Sequence, residues 1–115
     1  MDRIEFIEEI KSLLTGQEMP DLNLYQKGEF PNGWVARYLE LLSSNRNYWQ
    51  NIDSWPRDLF YCFYRVGFHL GFAYSTWVEE NQKSNEKTES DLHKIRLFTE
   101  AFVTGSANEE WTIET

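Results

Sequence analysis

Four side chains that could do chemistry lie at helical spacing near the middle of the sequence. Asp58, Cys62, Arg65 and His69 fall on one narrow stripe when residues are placed at the helical step of about 100°. Side chains four residues apart can meet on a helix, as Arg65 and His69 would. Asp58 reaches Arg65 only if both side chains extend. The stripe is either a solvated face with an ion pair where helices meet, or a polar slot for an anion or a partner carboxylate. The slot implies a small-anion-binding protein that uses Arg65, His69 and Tyr61.

Catalytic and metal-binding patterns are missing from the sequence. Cys62 and His69 are about two turns, or ~10 Å, apart on a helix, too far for direct proton transfer. The only histidines are His69 and His93, and neither has the glutamate three residues earlier that a di-iron bundle needs. Phosphate-binding glycine loops are also absent. We therefore predict a protein that is not an enzyme, with no catalytic residue, no metal and no cofactor.

The stripe belongs to an apolar stretch that we predict to be one long helix over residues 54–80. Ser54 is a suitable N-cap and Pro56 suits the first turn. The spacing Gly67-x-x-x-Gly71 predicts a neighbouring helix that crosses closely over both glycines. Arg65 interrupts the apolar run, which argues against a membrane span. The predicted buried face comprises Leu59, Phe60, Phe63, Val66, Gly67, Leu70, Gly71, Tyr74, Trp77 and Val78.

Three shorter helices are predicted around this central one. They cover residues 2–14, 34–42 and 90–104, and a long irregular connection at 16–33 joins the first two. Asp2 and Glu5 have the spacing of a capping box. The predicted fold is all-α: one domain over 1–115, a small antiparallel bundle of about four helices. The tail at 106–115 either docks on the bundle or adds to a partner's sheet.

Charge and composition favour a protein partner over nucleic acid or membrane. The chain has 115 residues, of which 41% are hydrophobic and 17% aromatic, enough for a modest core. Its formal net charge of −8 disfavours direct contact with phosphate and attracts a basic partner, although many small proteins are acidic for solubility alone. The lone Cys62 forms no internal disulfide, and the amphipathic, glutamate-bearing start does not resemble a leader. A reducing cytoplasm is the expected compartment.

We therefore predict a non-catalytic, acidic protein-binding module that covers a basic protein, as immunity proteins cover toxins. An alternative is a homodimer that pairs through the glycine face of the central helix or through the row Tyr64, Phe68 and Phe72. Tyr48 and Trp49, in a polar segment, are either exposed anchors or a lid over the core. The predicted partner-binding residues are Tyr48, Trp49, Arg65, His69, Phe72, Glu79, Glu80, Glu109, Glu110 and Trp111.

Overall fold

The computed structural model describes residues 1–15, 19–52 and 54–105, and within these ranges the regular structure is entirely helical. The all-α class and the small helical bundle are confirmed. The five helices are α1 (Arg3–Leu14), α2 (Pro20–Lys27), α3 (Trp34–Trp49), α4 (Arg57–Asn81) and α5 (Glu86–Thr104).

Helix α2 lies within the connection that was predicted to be irregular. Pro20 occupies its first position, where the missing N–H of proline costs nothing. Gly28 ends it with φ of +69°, in the left-handed region that glycine adopts without strain. The turn is closed by the buried Thr88 hydroxyl, which donates to the Gly28 carbonyl at 2.8 Å.

Three helix ends differ from the prediction by three or more residues, whereas the capped start of α1 agrees. Helix α1 is capped by Asp2, whose carboxylate accepts from the Glu5 N–H at 2.8 Å, as the capping box predicts. Helix α4 starts at Arg57, so the predicted cap, Ser54, lies outside it. Helix α3 continues to residue 49 instead of ending at 42. Helix α5 starts earlier than residue 90, because the side chain of Asn85 caps it by accepting from the Thr88 N–H.

The core at one end of the bundle is a cluster of aromatic rings. Trp49 contacts Phe6 and Trp55 at ring-centroid distances of 5.3 and 5.4 Å. Phe102 packs against Phe6, Trp55 and Phe63 at 5.5–5.6 Å. Since each buried ring removes a large apolar area from water, a few such residues join α1, α3, α4 and α5 into one core.

Cross-helix contacts define how the other helices lie around α4. Helix α5 runs antiparallel to it, since Tyr74 meets Glu89 and Phe63 meets Phe102. Helix α2 runs alongside α4 in the same direction, because its start at residue 21 contacts residue 65 and its end at residue 28 lies against residue 77. Helices α1, α2 and α5 thus cover part of the circumference of α4 and leave one side uncovered.

Candidate functional site

Arg65, a predicted partner-binding residue, holds three helices together. Its guanidinium donates to the Leu14 carbonyl at 3.1 Å and to Asp21 Oδ2 at 2.8 Å, linking α4 to the end of α1 and to α2. The side chain is only 13% exposed. Arg65 therefore fits the first interpretation of the stripe, in which an ion pair forms where helices meet. Its partner in that pair is Asp21 and not Asp58.

Asp58 and Cys62 also have structural partners within the chain. Asp58 pairs with Lys11 of α1 at 2.6 Å, and this hydrogen bond holds the pKa of the carboxyl below its usual value. Cys62 is buried, which raises the pKa of its thiol. An open groove of about 450 Å³ lies here, but its charged side chains at positions 11, 58 and 65 are joined in ion pairs. The groove therefore gives little support to an anion site.

His69 is exposed to solvent, as is Asp58, whose carboxylate pairs with Lys11. The ring of His69 lies edge-on to Tyr64, at a centroid distance of 5.8 Å. Tyr64 belongs to a much larger exposed surface on the same side of α4. The sequence stripe is thus divided: its first three members are used inside the fold, and His69 borders a surface of aromatic rings.

That surface, here called the aromatic face, consists of five exposed aromatic rings of α4. Phe60, Tyr61 and Tyr64 are 57%, 56% and 51% exposed, and Phe68 and Phe72 are 64% and 75% exposed. With about 200 Å² for a whole ring, the five together expose roughly 600 Å². Exposed patches of this size on soluble proteins commonly mark interaction sites.

Three of the five rings of the aromatic face are already ordered against one another. Tyr64 stacks on Phe68 at a centroid distance of 4.8 Å and lies 6.5 Å from Tyr61. Each aromatic side chain has only two rotatable bonds, so little conformational entropy is left to lose when a partner binds. The face is therefore suited to binding a partner without rearrangement.

A groove between α4 and α5 runs beside the aromatic face. We call it the small-residue groove, because Gly67, Gly71 and Ser75 form its floor, and it has a volume of about 680 Å³. The prediction that a helix crosses closely over both glycines is wrong. A methyl group at Gly67 would meet no atom within 4 Å, and one at Gly71 would meet only the end of the Arg96 side chain, at 3.6 Å.

The other predicted partner-binding residues differ in their exposure to solvent. Trp49 is 1% exposed at the centre of the aromatic core, so the prediction of an exposed anchor is wrong for this residue, whereas its neighbour Tyr48 is 48% exposed. Glu79 and Glu80 are exposed at the end of α4. Glu109, Glu110 and Trp111 lie outside the described residues, as does the whole predicted tail.

The described surface is less acidic than the whole chain. All eleven lysines and arginines lie within the described ranges, whereas five of the nineteen acids, at positions 18, 53, 109, 110 and 114, do not. The described residues thus contain fourteen acids and eleven bases, a formal charge of −3, compared with −8 for the whole chain. The aromatic face itself carries no acidic residue, and its positions 60, 61, 64, 68 and 72 are all Phe or Tyr.

The prediction that Phe60 lies on the buried face of α4 is wrong. Phe60 is an exposed member of one row with Tyr64, Phe68 and Phe72. The signal that could have revealed the row is its spacing, because four aromatic residues at successive intervals of four form a single ridge along a helix. The sequence had already offered the last three as a possible subunit contact.

In comparisons with protein-family models, curated proteins and solved structures, no match to this chain was found. Among the described residues, no helix is both long and apolar enough to cross a membrane. No cluster of three or more His, Cys, Asp or Glu side chains in the ranges 1–15, 19–52 and 54–105 is placed to hold a metal ion.

Proposed function

We propose that this chain is a non-catalytic protein-binding module whose contact surface is the aromatic face of α4. Its partner is a protein surface with a shallow apolar groove that accepts the rings. The observation that carries the proposal is the exposure of five adjacent aromatic side chains on one helix, between 51% and 75% each. Tyrosine and other aromatic residues are enriched at the centres of protein interfaces, where they supply most of the binding energy.

Chemical catalysis has less support than binding at this surface. The side chains that sequence patterns offered for chemistry, Arg65, Cys62 and Asp58, are held in ion pairs or buried. The aromatic face offers large apolar area but only phenol groups and the neighbouring His69 as polar atoms. Such a composition serves association by burial of apolar surface.

Site-specific photo-cross-linking tests the proposal. Benzoylphenylalanine in place of Phe68 should form adducts with a partner protein in extracts of the source cell. The same group in place of Glu40, an exposed residue of α3, is the control and should form few. Adding Phe72→Asp to the Phe68 probe should remove the adducts, because a carboxylate cannot enter an apolar groove without a large desolvation cost. Equal labelling from both probe positions would refute the proposal.

A second candidate is the acidic cover for a basic protein. It is favoured by the net charge of −8 and by the exposed Glu79 and Glu80 at the end of α4. The two candidates differ in their response to salt. If the partner binds the acidic surface, its affinity should fall with added salt, because salt screens the attraction between opposite charges. If it binds the aromatic face, its affinity should stay the same or rise. Binding measured between 50 mM and 500 mM sodium chloride distinguishes them.

A further inference from the structure

We propose that the partner of the aromatic face is a second copy of this chain, paired through α4 in one parallel register about a two-fold axis. This inference rests on the proposed function, since it identifies the partner of the same surface. The observation behind it is that α4 carries a ridge and a matching groove side by side. Tyr64, Phe68 and Phe72 project from the helix, and the small-residue groove lies next to them.

The spacing of the two rows fits one parallel pairing. When Phe68 is placed over the partner's Gly71, the four-residue interval brings Phe72 over the partner's Ser75. The two-fold axis repeats both contacts in the opposite direction, as a symmetric dimer requires. The rows of residues four apart on two helices then interdigitate, which is the commonest packing of helices in proteins, at a crossing angle of roughly 50°.

The same register extends by one more turn toward the start of the helix. It brings Tyr64 over the partner's Gly67, the remaining small residue of the groove floor. Each of the three rings in the ridge therefore meets a small residue. An antiparallel pairing about a two-fold axis places the rings of one ridge against those of the other and leaves both grooves unfilled.

Empty space is present where the rings would enter. Nothing lies within 4 Å of a methyl group built on Gly67, although an interior glycine weakens a helix. The groove volume of about 680 Å³ leaves room for incoming rings. Arg96 lies at the rim of the groove next to Gly71, where its guanidinium can stack on the flat side of an incoming ring. In the dimer, the two glycines would allow the partner's rings to pack closely against α4. In the single chain, nothing packs closely over them.

The area involved is sufficient for a small dimer. The three rings of the ridge expose roughly 400 Å² on each chain, so the two ridges alone would bury about 800 Å² in total. The groove floors and walls that receive them, with Phe60 and Tyr61 beside the ridge, bring the contact toward the ~1,200 Å² at which stable protein interfaces begin. Although the chain is acidic, the ridge and the groove floor carry no charged residue, so the pairing brings no two acids of these rows together.

Sedimentation of the purified full-length chain tests the inference. The wild-type protein should be a dimer at micromolar concentration, in 0.5 M sodium chloride as well as in 0.1 M. Gly67→Leu should raise the dimer dissociation constant by at least about tenfold, since it fills the groove with an apolar side chain but leaves the monomer fold intact. Ser44→Leu, the same added bulk at an exposed position of α3, should dimerise like the wild type.

The register is tested by benzoylphenylalanine in place of Phe72, in a mixture of isotopically heavy and light chains. Adducts between heavy and light chains should map next to the partner's Ser75. Adducts that map elsewhere would overturn the register, and a Gly67→Leu variant that dimerises as well as the wild type would overturn the pairing.

A purified chain that stays monomeric up to 1 mM would also overturn self-pairing. That result is distinguishable from a failure of the proposed function. The Phe68 probe in cell extract would then label a different protein if the aromatic face is a contact surface, and would label none specifically if it is not.

Discussion

Arg65 shows how a residue that suggests chemistry can serve the fold instead. Its two hydrogen bonds reach a carbonyl 51 positions away and a carboxylate 44 positions away. The second oxygen of that carboxylate, Asp21 Oδ1, is buried and has no hydrogen-bond partner among the described residues. Asp21 therefore depends on Arg65 for compensation of its charge, because an unpaired carboxylate away from water is costly.

Replacing Arg65 with alanine should lower the free energy of unfolding by about 2 kcal/mol. The estimate lies between the small value of exposed ion pairs and the larger cost of breaking buried ones, since this pair is only partly exposed. Urea denaturation measures the change. Arg57→Ala, which removes an exposed arginine from the same helix, should change the stability by less than about 0.5 kcal/mol. Equal losses in the two variants would contradict a structural role for Arg65.

At the scale of elements, the end of α2 fixes how that helix lies on α4. Gly28 has a left-handed backbone, and a Cβ atom there would overlap the indole of Trp77. The Gly28 carbonyl also accepts from the buried Thr88 hydroxyl at the start of α5. One glycine thus brings three helices together, and its lack of a side chain is required both by its φ angle and by the close approach of the ring.

Gly28→Ala should destabilise the protein by roughly 2–5 kcal/mol, which combines the cost of a left-handed alanine with that of overpacking against Trp77. Gly33→Ala is the matched control. Gly33 also has a positive φ, of +79°, but nothing lies within 4 Å of an added methyl group, so about 1 kcal/mol is expected. Denaturant unfolding of the two variants separates backbone strain from steric overlap. A Gly28 variant no less stable than the Gly33 variant would show that α2 can shift away from α4.

At the scale of the whole molecule, the bundle has too few helices to enclose α4. Helices α1, α2 and α5 bury Leu59, Val66 and Leu70 almost completely, but they leave the rings at positions 60, 61, 64, 68 and 72 in solvent. A second chain would supply the missing cover and add its binding free energy to the stability of the fold. Stability then depends on protein concentration, because mass action favours the associated folded state.

The melting temperature of the wild-type chain should therefore rise with its own concentration, by about 3 °C for each tenfold increase. Gly67→Leu should show a smaller rise over the same range, since its filled groove weakens dimerisation. Calorimetry from 5 µM to 500 µM provides the comparison, with Ser44→Leu as the control. An equal rise in wild type and Gly67→Leu would place the association on some other surface.

The sequence by itself determined the helical class, the position of the long central helix and the cap at Asp2. These follow from local properties: apolar periodicity, turn residues and a side chain that reaches a backbone N–H three residues away. It did not determine the rotation of α4 about its own axis. Apolar and aromatic residues occur nearly all round this helix, so its periodicity could not decide between burying Phe60 and burying Cys62.

Only the tertiary structure decided that rotation, and with it the candidate site. The contacts that set it lie far apart in the sequence, such as Arg65 with Asp21 and Gly28 with Trp77. The same holds for Trp49, which follows a polar segment but enters an aromatic core formed by residues of three other segments. Which rings are enclosed depends on which neighbours reach them, and for α4 the neighbours within one chain do not suffice.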